Sequence, residues 1–214
     1  MNETLADIGE IEILNRLQRF MDIGQIDDDT AIIANPNKDL LINTDVLVEN
    51  VHFTDATVTA KDIGWKAITT NLSDLASSGG NSEAFYTVGL IAPPSTKWKW
   101  VEEAYEGMQN ALFEFGGKLI GGDCSKGSEK ILSITAISSL GPLKLHRSNA
   151  LPGDSLVTTG PHGLSKLGLS LLSSKNSKIL KIISPSLKLK AINHHLRPYP
   201  PIETVRQIER CKPK

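Results

Sequence analysis

Cysteine is scarce: only Cys124 and Cys211 occur in 214 residues, too few for a disulfide framework, so two reduced thiols are expected. Long apolar runs are also missing. The longest charge-free stretches, such as Ile131 to Leu143, are too short to span a bilayer. Met1 to Glu12 has neither the basic start nor the apolar run of a signal peptide, and carries Glu3, Asp7, Glu10 and Glu12 instead. These absences predict a cytoplasmic protein. There is no Gly-x4-Gly-Lys-Ser/Thr loop, which excludes a P-loop kinase. The catalytic-loop and Asp-Phe-Gly patterns of protein kinases are absent too. No Cys/His cluster suggests zinc.

What remains suits a soluble globular chain of one or two domains, 40% hydrophobic and 22% charged. Net charge is −1 but unevenly spread: of 23 Lys/Arg and 24 Asp/Glu, 10 and 2 lie from Lys175 onward. The acidic part up to residue 174 is a plausible cation binder. The basic tail reads as a solvated face, because no aromatics interleave its lysines as in single-strand binders.

Asp7 can cap a first helix in which Ile11, Leu14, Leu17 and Met21 recur at helical spacing. Strands are predicted at Thr30–Ala34 and Leu40–Val48. Thr59 to Asp62 is a capping-box signature opening a helix to about Ser77. A strand is expected at Ala84–Ala92 and an amphipathic helix from Trp100 to Phe115. Further strands are expected at Lys118–Ile120, closed by Gly121-Gly122-Asp123, and at Ile131–Leu140. After a Pro/Gly loop come a strand at Ser155–Thr159 and a helix carrying Leu164, Leu167, Leu171 and Leu172. Pro185 is read as a breaker of the next helical stretch, and Pro198, Pro200 and Pro201 break the chain again. The order predicts a mixed α/β (α+β) fold.

Acidic residues sit where apolar ones would be cheaper. Asp27-Asp28-Asp29 precedes an apolar strand, Thr44-Asp45 interrupts one, Asn71 and Asp74 share a helix face, and Asp123 follows two glycines. A carboxylate taken from water needs a cation or strong donors. Oxygen ligands without a Cys/His cluster favour Mg²⁺ over zinc, and several converging carboxylates suit a polyphosphate. Each also has an ordinary explanation: a solvated turn for Asp27 to Asp29, a Gly-Gly-Asp turn for Asp123, a local backbone bond for Asp74. Gly160-Pro161-His162-Gly163 before a helix could receive phosphate on its amides, or be a plain helix-start turn.

Seven blocks in order resemble thiamine-monophosphate kinases of the aminoimidazole ribonucleotide synthetase superfamily. They are Asp28–Ala31, Asn43–Phe53, Gly64–Ala67, Asn71–Ala76, Gly121–Asp123, Arg147–Asp154 and His195–Pro198. The resemblance implies an N-terminal ATP- and Mg²⁺-binding domain over residues 1–142 that forms a homodimer through its sheet, and an incomplete C-terminal α/β domain over 143–214. It implies direct transfer of the ATP γ-phosphate to thiamine monophosphate, giving thiamine diphosphate, without a covalent intermediate. It places several Mg²⁺ ions on Asp29, Asn43, Thr44, Asp45, Asp74 and Asp123, ATP on Tyr105, Gly122, Asp123 and Arg147, and the substrate at His52. No nucleic acid or membrane partner is implied. Asn43 stands where the family usually has Ser or Thr, and Cys124-Ser125 follows Gly-Gly-Asp in place of Thr-Thr or Thr-Ser. The family continues to an Asp-x-Ser-Asp-Gly-Leu motif that this chain lacks. Two further expectations therefore stand beside the kinase: a truncated remnant that folds and dimerises without turnover, and another ATP-dependent enzyme of the superfamily.

Overall fold

Alternation along Leu40–Val48 sets the two faces of the central sheet. In this computed structural model, which describes residues 31–33, 37–80, 83–173 and 183–211, strand β2 (Leu40–Val48) buries Leu41, Asn43 and Leu47 and turns Thr44 and Val46 the other way. It pairs antiparallel with β1 (Ala31–Ile33) on one side and with β5 (Ile131–Ser139) on the other, from Leu40 opposite Ser139 to Val48 opposite Ile131. Strand β3 (Phe85–Ala92) runs antiparallel to β5, and β4 (Lys118–Lys126) parallel to β3. The sheet order is β1-β2-β5-β3-β4. A parallel pair needs a crossover, and helix α2 (Trp98–Phe115) supplies it. The fold class is the mixed α/β one expected. The expected first helix from Asp7, and Asp29 with its two neighbouring aspartates, lie outside the described residues.

Helix α1 (Ala60–Ser77) starts where the capping signature predicts. Thr59 Oγ1 accepts from the Asp62 backbone N–H and donates to Asp62 Oδ2 at 2.7 Å. Ile63, Ile68 and Leu75 are fully buried in the core shared with the sheet and α2, and Leu72 is buried as well, each contributing about 1.5–3 kcal/mol of burial. Its polar residues are satisfied locally: Thr69 and Thr70 donate to the Trp65 and Lys66 carbonyls, and Asn71 Nδ2 to Ala67 O. The two helices cross where glycine faces glycine's neighbour. A Cβ on Gly64 would stand 1.8 Å from Ala104 O, and one on Gly107 would stand 1.9 Å from Lys61 O. Only residues without side chains permit that approach.

The remaining helices, α3 (Leu164–Ser173), α4 (Pro185–Leu196) and α5 (Ile202–Cys211), follow the sheet. The segment after α4 clasps the first helix pair. Arg197 Nε meets Asp62 Oδ1 at 2.5 Å, Trp65 Nε1 donates to Pro198 O at 2.9 Å, and Tyr199 OH donates to Glu114 Oε1 at 2.7 Å. Trp65, Phe115 and Tyr199 stack edge to face.

Four expectations are corrected. Helix α2 begins at Trp98, before the expected Trp100. The strand placed at Lys118–Ile120 continues to Lys126, so Gly121-Gly122-Asp123 lies inside it. The glycines permit this: a register shift falls there, and a Cβ on Gly122 would sit 2.0 Å from Val88 O. Ser155–Thr159 forms no strand and is exposed throughout; no neighbouring strand offers it a ladder. Pro185 opens α4 instead of breaking it, because the first turn needs no donor there and Ser184 caps it through Leu187 N.

Candidate functional site

The β2 alternation that buries Leu41 and Leu47 also directs Asn43 and Asp45 toward α1. Asn43, only 6% exposed, donates through Nδ2 to Asn71 Oδ1 and to Asp74 Oδ2, each at 3.1 Å. Its own Oδ1 is buried without a hydrogen-bond partner. A lone buried oxygen is costly unless a donor or cation completes it. Asp45 and Asp74 line one cleft of about 490 Å³ with Thr69, Thr70 and Ser73, closed on the far side by Pro198–Pro201. Asn43, Asn71, Asp45 and Asp74 thus converge, although they are 26 or more positions apart between strand and helix.

The other expected ligands are elsewhere. Thr44 faces away from the helices and its Oγ1 lies 2.9 Å from Thr135 Oγ1 across the ladder. Asp123 is on β4, three strand spacings from β2 in the sheet order, hence about 14 Å away. It is flanked by Cys124, which faces the helices, so its own side chain points to the opposite face. Within one protomer it cannot share an ion with Asp45. Tyr105 borders a separate, mainly apolar cavity of about 900 Å³ with Leu90, Val101 and Cys124. Burial, helped by the nearby Cys124 charge, pushes the Tyr105 phenol above its usual value. Arg147 is exposed in a short 3-10 turn. His52 is exposed in the turn after β2, where its Nδ1 accepts from Val48 N at 3.0 Å. Asp29 lies outside the described residues.

Among the described residues no group of three or more His, Cys, Asp or Glu is placed to hold a metal. The acidic cleft nevertheless fits Mg²⁺ chemically. That ion takes hard oxygen donors, commonly one or two carboxylates with phosphate and water completing the shell. Asp45, Asp74 and the orphaned Asn43 Oδ1 are such donors.

His195, inside the His-Leu-Arg-Pro block, is buried and lies 3.2 Å from Ser165 Oγ through Nδ1. Burial, and then the charge of Lys66, hold its pKa below the ordinary histidine value. The folded chain therefore binds this proton less readily than the unfolded chain. Its contribution to stability is complete above about pH 6.5 and is lost as pH falls through the depressed folded value. Thermal unfolding from pH 8 to pH 5 is expected to show a falling melting temperature in this window. The fall should be smaller in His195→Asn; equal slopes in both proteins would reject the assignment.

Sequence reasoning missed the Arg197–Asp62 and Trp65–Pro198 links and the Pro198–Pro201 wall. Their only signal was the His-Leu-Arg-Pro block itself.

Residues 27–140 match the family model described as AIR synthase related protein, N-terminal domain. The chain is 58% identical, over 99% of its length, to a thiamine-monophosphate kinase of Prochlorococcus marinus, covering 63% of that protein. It is 36% identical over 99% of its length to one of Synechococcus elongatus, covering 64%. The chain thus spans less than two thirds of these relatives. Among solved structures, AaThiL complexed with AMPPCP and TMP superposes with a TM-score of 0.87 at 30% identity, over 97% of this chain and 65% of that one.

Proposed function

We propose, starting from the fact that this chain belongs to the AIR synthase related protein family by its N-terminal domain, that it is a thiamine-monophosphate kinase. The reaction moves the γ-phosphoryl group of ATP onto the phosphate of thiamine monophosphate, leaving ADP and thiamine diphosphate. The observation that carries this is the 58% identity to the Prochlorococcus kinase across 99% of the chain. The AaThiL complex supports it, since that protein is complexed with AMPPCP, an ATP analogue, and with TMP.

Asp45, Asp74 and Asn43 Oδ1 would hold Mg²⁺ in the acidic cleft. When bound, the ion supplies charge neutralisation and alignment for phosphate oxygens. The chain's own part is to fix these oxygens: Asn71 orients Asn43, α1 carries Asp74, and Pro198–Pro201 keeps solvent from one side of the cleft. Tyr105, Gly122, Asp123 and Arg147 are proposed ATP contacts and His52 a substrate contact. Gly122 allows close backbone approach and Arg147 offers a permanent cation. Thr44 and Asp123, on the face away from α1, enter the magnesium set only if a second protomer meets that face.

The same face supports a homodimer. Val46, Phe85 and Ile120 project from it at 42%, 49% and 56% exposure, an apolar surface that a second copy would cover. Residues 1–142 would form the nucleotide-binding and dimerising domain, and 143–214 part of a second. No helix of the described residues is long and apolar enough to cross a membrane; the location proposed from the sequence is the cytoplasm.

A second reading, a chain that folds without turnover, is favoured by one observation: Leu156 and Val157 stand fully in solvent where a strand was expected. Thiamine diphosphate formation by the purified chain, followed with ATP, Mg²⁺ and thiamine monophosphate, separates the two. Saturable product that vanishes with chelator is expected. ATP binding without product selects the second reading, and ATP turnover with a different acceptor overturns the substrate.

A further inference from the structure

A buried cation sits outside the acidic cleft. Lys130, 7% exposed, immediately precedes β5. Its Nζ pairs with Glu49 Oε1 at 2.8 Å and with Asp55 Oδ2, and lies 4.9 Å from the centre of the Trp100 ring. Trp100 Nε1 in turn donates to Asp55 Oδ1 at 3.1 Å. Glu49 N donates to Lys130 O at 2.9 Å and Lys130 N to Glu49 Oε2 at 3.2 Å. Burial alone would depress the ammonium pKa, but the hydrogen bonds it donates to Asp55 and Glu49 outweigh it and raise the pKa above the ordinary lysine value.

Glu49 and Asp55 bracket the turn that carries His52. Within the turn Asn50 adopts the left-handed region at φ 64°, which asparagine tolerates better than most residues, and its N donates to Phe53 O at 2.8 Å. Val51 N and His52 N both converge on Val48 O, and Phe53 closes the turn from below by stacking on Trp100. His52 Nδ1 accepts from Val48 N, so the neutral ring carries its proton on Nε2. A well-packed apolar residue often matches a buried ion pair in stability. What it cannot do is hold two carboxylates on either side of the turn.

We infer that Lys130 is a positioning residue: through Glu49 and Asp55 it fixes the Val48–Phe53 turn so that His52 presents Nε2–H to the phosphate-bearing substrate. This rests on the proposed role of His52, and the test separates the two.

The variants are Lys130→Met, Lys130→Arg and Asp55→Asn, with the exposed Lys118→Met as control. Nitrogen NMR of the His52 ring and exchange of the Val48 amide are read without ligand. Affinities for thiamine monophosphate and for Mg–ATP are then titrated. Lys130→Met should mix the His52 tautomers, speed Val48 exchange at least tenfold relative to core Ile68, and weaken thiamine monophosphate tenfold while leaving Mg–ATP unchanged. Lys130→Arg should recover most of this. Asp55→Asn, which leaves the Glu49 arm, should give the same changes at smaller size and decides the matter if Lys130→Met does not fold. A single tautomer retained in Lys130→Met, or Val48 and Ile68 loosened alike, overturns the inference. If the unmodified chain binds no thiamine monophosphate, the functional proposal fails and the ring and amide signals alone decide the positioning role.

Discussion

Replacing Asp74 by Asn is expected to weaken Mg²⁺-supported ATP binding by about a hundredfold, roughly 2.7 kcal/mol, while leaving folding stability within about 0.5 kcal/mol. The asymmetry follows from the contacts. Asparagine keeps an oxygen for the Asn43 Nδ2 bond but removes one of the two carboxylates lining the cleft with Thr69, Thr70 and Ser73. Loss of the charge costs the metal and little else. Titration with Mg–ATP by calorimetry, beside thermal unfolding of the apo chain, reads both quantities. Unchanged affinity in Asp74→Asn would remove the cleft from the mechanism.

Gly107→Ala should be among the most destabilising single methyls in the described residues, alongside Gly64→Ala at the same crossing. The added carbon would meet Lys61 O at 1.9 Å, backbone against backbone, so no rotamer change relieves it. The helices must separate, at a cost of about 3–5 kcal/mol out of a typical total of about 5–15 kcal/mol. Because α1 also carries Asn71 and Asp74, the separation would loosen the Asn43 contacts along with the core. Gly160→Ala, with nothing within 4 Å, is the control. Urea unfolding measures both; a loss below about 1 kcal/mol for Gly107→Ala would mean the helices do not meet at this crossing.

Local chemistry was legible in the sequence and remote pairing was not. Thr59 and Asp62 announced the start of α1, because a cap is a contact between near neighbours. The apolar stretch Leu40–Val48 announced a strand, and Thr44-Asp45 interrupting it marked a candidate ligand site, while Asn43 entered only through the family resemblance. The convergence of Asp45 with Asp74 could be suspected from residue type alone. The separation of Asp123 from them could not, since the strand order that divides them depends on which strands β5 joins. Likewise Lys130 gave no sign of pairing with Glu49 and Asp55, which lie 81 and 75 positions away. Gly64 and Gly107 looked like ordinary helix residues; their need for close approach exists only once α1 and α2 cross. Ser155–Thr159 has the pattern of a strand but no partner strand among the described residues to make it one.

The β2–β5 ladder carries a consequence for synthesis on the ribosome. Val48 pairs with Ile131 at the near end of that ladder, so β2 must wait for 83 further residues before β5 can join it, roughly 4–17 s at about 5–20 residues per second. Throughout that interval Leu47 has no strand beside it and Leu41 has only β1, and Asp45 and Asp74 have no fixed geometry. The nascent chain is therefore open to chaperone capture until translation passes Ser139, and the cleft is completed only when the Pro198–Pro201 wall follows.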